Sequence, residues 1–391
     1  MLLKRVRTFV FWCHLVTGAC IGLVVLLMSA TGVLLTYQRQ LTAWADVRGI
    51  DAAAPAAPAT RLPVDSLVAR ARVAAAAAPT ALAWRASTPR LVQVAIGRER
   101  VLYLDAFTGE VVGRGSPRAR AFFAWITDWH RWLGAAASDT AARARGKSIT
   151  GAANLAFLFL VLSGFWLWWP RNWNPAALRG VTLFRRGLRG KARDFNWHNV
   201  VGVWSVLPLF LVVLSGVVIS YPWASALVYR AVGEQPPAPA APPRAAGERT
   251  DGASAAALPP GIDAMLAHAE GKLPGWRSIA FTIPRTPDAP VSFTIDRGTG
   301  GEPQKRATLT LDPATGAERK WETFDSLTAG RRARSVLRFA HTGEVLGLAG
   351  QTIAGLVSLG ATLLVWTGIS LSLRRLGAWR RRRVQPRATP A

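Results

Sequence analysis

Apolar residues run without a break by Asp, Glu, Lys or Arg in four places: Thr8–Gln38, Ser148–Pro170, Phe195–Tyr229 and Val345–Leu373. A bilayer core needs about 20 consecutive apolar residues in helical form, so each run predicts a membrane-spanning helix. The first and third are longer than a span requires, and their ends extend into the interfaces. Lys4, Arg5 and Arg7 before the first run, and Ala43-Trp44-Ala45 after it, also suit a cleaved signal peptide. The run is about twice the 7–15 residues of a signal h-region, which favours an uncleaved span. Between spans one and two, and again between three and four, the pattern changes to a helix-like stretch followed by alternating strand-like runs.

The pattern divides the chain into ten segments. The first half reads as span one (1–38), an outer α+β domain (39–117), an interfacial helix and connection (118–147) and span two (148–170). A basic loop (171–194) leads to span three (195–229) and a Pro/Ala-rich linker (230–260). A second outer domain (261–330), an interfacial helix with span four (331–373) and a basic tail (374–391) complete it. The fold class expected is a membrane all-α four-helix bundle carrying two α+β extracytoplasmic domains.

The halves resemble each other. At a constant offset of 184 residues, His14 answers His198, Gly18 answers Gly202, Gly32 answers Gly216 and Tyr37 answers Tyr221. Spans two and four echo each other through Ser163-Gly164 and Thr367-Gly368. The outer segments share the turn Asp-x-x-Thr-Gly at Asp105–Gly109 and Asp312–Gly316, in which Asp caps the turn and Gly takes positive φ. The expected plan is two parallel repeats of span, outer domain, span.

Charge gives a direction. The chain carries Lys+Arg 48 against Asp+Glu 22, a net +26, yet half its residues are hydrophobic. A nucleic-acid binder that basic would be polar overall, so no nucleic-acid partner is expected. Seventeen basic residues crowd three short flanks: the N-terminal Lys4, Arg5 and Arg7; Arg171, Arg179, Arg185, Arg186, Arg189, Lys191 and Arg193; and Arg374, Arg375, Arg380–Arg383 and Arg387. Short cytoplasmic loops concentrate Lys and Arg, which places both termini in the cytoplasm. Arg331, Arg332, Arg334 and Arg338 then fall outside. The 17 Trp suit interfacial belts, and Cys13 and Cys20, seven apart on a helix, read as packing residues.

Only five histidines occur. His14 and His198 open spans one and three, near the inner face; His130 and His341 precede spans two and four, near the outer face. His268 reads as a surface residue. Singly, a histidine at a membrane edge is more often an interfacial hydrogen-bonder than a ligand. Four at repeat-related positions weaken that reading, because ionisable groups in membranes usually carry function. Two facing imidazoles suit the axial positions of a haem iron and lack the further donors of a structural Zn site. Gly18, Gly134 and Gly202, each four residues after a histidine, would leave room for a flat macrocycle; the competing reading is close helix approach. The aromatic cluster Phe122, Phe123, Trp125, Trp129 and Trp132 around His130 suits either haem packing or an aromatic belt. The 18 residues from His14 to Gly32 cover about 27 Å, so the histidines cannot share one metal. If the pairing is His14 with His198 and His130 with His341, two haems would stack across the membrane.

The sequence resembles the PepSY-associated transmembrane family, which includes iron-regulated inner-membrane proteins and ferric-siderophore reductases. The resemblance rests on Gly164-Phe165-Trp166-Leu167-Trp168-Trp169-Pro170, the four histidine positions and the paired turns, and covers nearly the whole chain. It implies PepSY-like outer domains, a bacterial inner-membrane location and b-type haem, two per chain, held by His14, His130, His198 and His341. It also implies electron delivery from an unknown cytoplasmic-side donor to a ferric siderophore or other ferric chelate. The charged connection holding Asp139, Arg143, Arg145 and Lys147 departs from the family pattern. Two other functions compete: a haem-free PepSY module that binds peptides or proteases, and a cation conduit, which the absence of acidic residues in the spans disfavours. No nucleotide motif is present. The catalytic residues are not identified by sequence.

Overall fold

A computed structural model describes residues 2–53, 59–97, 100–170, 173–238 and 258–384. Arg171, Arg387 and most of the Pro/Ala linker (239–257) lie outside the described residues. The helices are α1 (Leu2–Leu35), α2 (Gln38–Val47), α3 (Val64–Ala75), α4 (Pro117–Trp132), α5 (Thr140–Trp168), α6 (Pro175–Thr182), α7 (Gly190–Ser220), α8 (Pro222–Ala231), α9 (Ile262–Lys272), α10 (Ala329–Ala340) and α11 (Gly347–Val384). The strands are β1 (Ala81–Arg85), β2 (Leu91–Ile96), β3 (Arg100–Asp105), β4 (Val111–Gly113), β5 (Ser278–Thr282), β6 (Val291–Asp296), β7 (Arg306–Leu311) and β8 (Glu318–Thr323). The chain divides into two units: Met1–Thr36, Ala124–Ser225 and Ala340–Ala391 form one, Tyr37–Phe123 and Ala226–Phe339 the other.

The first unit is the helical bundle. α1, α5, α7 and α11 are each long and apolar enough to cross a membrane. α1 and α7 each pack on both α5 and α11, which leaves α1 and α7 diagonal to one another. Lipid is as apolar as leucine, so such helices associate by close packing and small residues. Accordingly a Cβ on Gly22 would lie 3.2 Å from Ile369, and one on Gly360 3.3 Å from Val201. Leu23, Leu207 and Leu356 stand exposed on the outside, where a bilayer would cover them. Val161, Leu209, Val213, Val357 and Ala361 fill the bundle's middle.

Two expected boundaries move, each for a local reason. Span three stops at Ser220 because Pro222 disfavours helix at the residue before it: Tyr221 is extended (φ −119°, ψ 123°), and α8 starts afresh at Pro222. The charged connection after His130 is largely helix, because Asp139 caps α5 by accepting from the Ala142 N–H at 2.7 Å and so starts the helix one residue later.

The second unit is one antiparallel sheet in the order β4-β3-β2-β1-β5-β6-β7-β8. The two outer segments, expected as separate domains, share this sheet through β1 and β5, paired from Ala81↔Thr282 to Arg85↔Ser278. Alternate residues of β1, β6 and β7 are buried, the period-two pattern of a half-buried strand. They meet Leu67 and Ala71 of α3 and Met265 and Ala269 of α9 in one core around Ile279, Phe281, Phe293 and Leu309. Register partners Phe281 and Phe293 stack at 5.2 Å. On the other face, Leu91, Val101 and Tyr103 pack on Val47 and Ile50. There the buried Asp46 accepts from the Ser116 N–H (2.7 Å), the Tyr103 hydroxyl (3.1 Å) and Arg120. Burial, with Asp46 beside it, pushes the Tyr103 phenol up from its ordinary pKa.

The paired turns form as their residues dictate. Asp105 accepts from the Phe107 and Thr108 N–H groups (2.8 and 3.0 Å), and Gly109 has φ +71°. Asp312 accepts from Ala314 and Thr315 (both 2.9 Å), and Gly316 has φ +70°.

Candidate functional site

All four sequence-predicted histidines lie in the helical bundle, half-buried: His14 on α1, His198 on α7, His130 in the last turn of α4 and His341 just after α10. His268 is in the sheet unit, partly exposed and 3.9 Å from Glu318.

Each bundle histidine is held in the same way. The His14 Nδ1 lies 2.8 Å from the Ser163 hydroxyl, His198 Nδ1 3.0 Å from Thr367, and His130 Nδ1 3.0 Å from Thr31. Those hydroxyls are buried, and each donates its one proton to the carbonyl four residues back: Ser163 to Phe159 (2.7 Å), Thr367 to Leu363 (2.8 Å) and Thr31 to Leu27 (2.7 Å). A hydroxyl whose proton is committed can only accept, so the imidazoles donate Nδ1–H. His341 Nδ1 donates to the Val212 carbonyl at 2.9 Å and lies 3.5 Å from Ser215. A carbonyl only accepts, which fixes the same tautomer. All four rings therefore carry their proton on Nδ1 and keep the Nε2 lone pair for a ligand. Metal-bound histidines are commonly oriented by this kind of outer hydrogen bond.

The residue after each hydroxyl is a glycine lying against the ring. A Cβ on Gly164 would be 3.2 Å from His14 Cε1, on Gly368 3.5 Å from His198, on Gly32 3.7 Å from His130 and on Gly216 3.2 Å from His341. The unit is thus a Ser/Thr-Gly pair on a span, gripping a histidine from another element. α1 receives His130, α5 receives His14, α7 receives His341 and α11 receives His198. The glycines expected at the macrocycle, Gly18, Gly134 and Gly202, have other protein neighbours. A Cβ on Gly18 would meet Leu160 at 3.9 Å and on Gly202 Leu364 at 3.7 Å, both ordinary packing. Gly134 closes α4 at φ +79°, beside Trp129, a conformation that favours glycine for backbone reasons.

The structure brings the histidines together in two pairs. The His130 and His341 ring centroids are 6.3 Å apart. His14 on α1 lies against Gly164 of α5, and His198 on α7 against Gly368 of α11, the matching positions of the two halves. Thr31, which holds His130, is 17 residues beyond His14 on α1, about 26 Å along the helix, so the pairs lie toward opposite ends.

A bound group can be tested against this geometry. The His130 and His341 rings, 6.3 Å apart between centres, leave room for one metal centre between them. Among the described residues no three His, Cys, Asp or Glu side chains converge, so a bare ion would find two protein donors. A macrocycle contributing its own equatorial nitrogens completes the set. The residues fit haem.

Four membrane-crossing helices joined to an antiparallel sheet unit define a multi-pass membrane protein. Its sequence matches the family described as "PepSY-associated TM region" over residues 11–375, and the chain belongs to that family. No curated protein gives a significant match.

Proposed function

We propose that this chain is a haem b-dependent oxidoreductase of the bacterial inner membrane, carrying electrons from the cytoplasmic side to a ferric chelate, of siderophore type, outside. The observation that supports it best is the His130–His341 pair, 6.3 Å between ring centres with each Nδ1 already bonded. When bound, haem supplies a one-electron Fe(III)/Fe(II) couple. The chain's residues do the remaining work. His14 and His198 would hold one iron and His130 and His341 the other; Ser163, Thr367, Thr31 and the Val212 carbonyl keep the rings in register. Gly164, Gly368, Gly32 and Gly216 keep methyl groups away from the ring edges. The basic flanks set both termini in the cytoplasm, which puts the His14–His198 site inward and the His130–His341 site outward. Reducing the metal of a hard-oxygen chelate loosens it, because softer ions suit such donors less.

The test uses the full chain purified in detergent. Oxidised and reduced absorption spectra with haem extraction should give b-type haem, two per chain, and the reduced protein should be reoxidised by a ferric chelate. Protein without haem from haem-replete cells would overturn the proposal and favour a haem-free PepSY module binding peptides or proteases. A periplasm-active reporter fused at the C-terminus should be silent; activity there would reverse the direction.

A further inference from the structure

The two halves of the sheet match strand for strand, yet one arginine differs in its surroundings. Arg306 opens β7, and its register partner is Asp296, 3.4 Å away as an ion pair. Arg100 opens β3 in the corresponding place, and its register partner is Ile96. Among the described residues Arg100 reaches the Ala75 carbonyl, at 3.4 Å. Among the described residues neither Arg100 nor Arg114 has a carboxylate partner, and both are exposed.

These two arginines rim a recess of about 220 Å³, with Arg120 as the third basic member and Ala75, Ile96, Val101, Leu102 and Pro117 as walls. Arg120 is neutralised by Asp46, but its Nε is buried without a hydrogen-bond partner among the described residues. Among the described residues no acidic side chain lines the recess. An apolar cavity of about 150 Å³ accepts a benzene ring, so this one has room for such a ring and a substituent. Guanidinium forks match carboxylates in shape and charge, while apolar walls reward an organic body over a bare ion.

We propose that this recess is a binding site for a small amphiphilic carboxylate: an acid group held by Arg100 and Arg114, with its ring or chain on Ile96, Val101 and Leu102. The acid would be either a free organic acid or one limb of a ferric chelate. Only the second source rests on the reductase reading; the site itself does not.

Isothermal titration calorimetry on the full chain in detergent, at low ionic strength, tests it with salicylate as probe. Salicylate should bind, and its uncharged analogue salicylamide and inorganic phosphate should bind at least about tenfold more weakly, the scale of one charge-assisted hydrogen bond. Arg100→Gln with Arg114→Gln should weaken salicylate by a similar factor or more. Both side chains are exposed, and an unchanged melting curve would show the double variant folded. Equal binding by wild type and double variant, no binding by wild type, or phosphate binding as well as salicylate would each overturn the proposal. Tighter binding of the Fe(III)–salicylate complex than of free salicylate would identify a chelate limb; the reverse would identify a free acid. Because calorimetry needs no redox cofactor, haem-free protein that still binds would leave the site standing while the reductase reading falls.

Discussion

Gly164→Ala tests whether the Ser/Thr-Gly pairs define the cofactor sites. The added methyl would sit 3.2 Å from His14 Cε1, against about 3.5–4.0 Å for an ordinary carbon–carbon contact. The ring must yield by about 0.3–0.8 Å, but the Ser163 bond at 2.8 Å ties it to the same helix that carries the new methyl. An extra methyl forced into a packed site costs about 1–3 kcal/mol, which at about 1.4 kcal/mol per decade weakens haem binding roughly 5- to 150-fold. The control is Gly18→Ala, where the new methyl meets Leu160 at 3.9 Å and needs no adjustment. The assay is haem content per chain and haem retention during titration with apomyoglobin. Gly164→Ala should lose one haem of the two and Gly18→Ala neither. If Gly18→Ala depletes haem and Gly164→Ala does not, the site assignment is wrong.

Other outcomes follow from the same geometry. Alanine at His130 or His341 should remove the same haem, and alanine at His14 or His198 the other, read by difference spectra of the four variants; loss of different haems within a pair would break the pairing. Thr367→Val keeps the shape but removes the hydroxyl acceptor of the His198 Nδ1–H and leaves the Leu364 carbonyl as its partner, so haem affinity should fall by up to about 10- to 100-fold, and redox titration should show a shifted midpoint for one haem only. In the sheet unit, Arg331 and then Lys320 hold the Glu322 carboxyl at about 2 by hydrogen bonding. A depressed carboxylate contributes stability above its unfolded pKa of about 4.3 and loses it as pH falls through the folded value. The pH dependence of thermal unfolding should therefore slope downward from about pH 4.5 to about 2. Glu322→Gln should flatten that slope slightly, in a salt-sensitive way, because the pair is mostly exposed; an unchanged slope would remove Glu322 from the account.

The four spans, the approximate strands and both Asp-x-x-Thr-Gly turns are visible in the sequence because each depends on a local rule: an unbroken apolar run, alternating burial, or a carboxylate and a glycine at fixed spacing. The four histidines are visible for a similar reason, since their type and repeat-related placement in apolar surroundings are properties of the chain itself. Their partners are not. Thr17-Gly18 and Thr150-Gly151 carry the same dipeptide as Thr31-Gly32, Ser163-Gly164, Ser215-Gly216 and Thr367-Gly368. Which of the six faces a histidine depends on how the helices are rotated and shifted past one another. Gly18 turns to Leu160 and Gly151 to Tyr221. A spacing of four residues after a histidine follows one helix, so it cannot reveal the glycine that lies against each ring from another helix.

The joining of the outer segments is likewise tertiary: nothing local to β1 or β5 states that Ala81 will face Thr282. Sequence by itself determined what each segment can become, since hydropathy, turn chemistry and charge act over a few residues. Tertiary structure decided which surfaces meet. That choice set the Nδ1 proton of each histidine and placed Ile96 opposite Arg100 where Asp296 stands opposite Arg306, because helix rotation and strand register are fixed only when distant segments pack together.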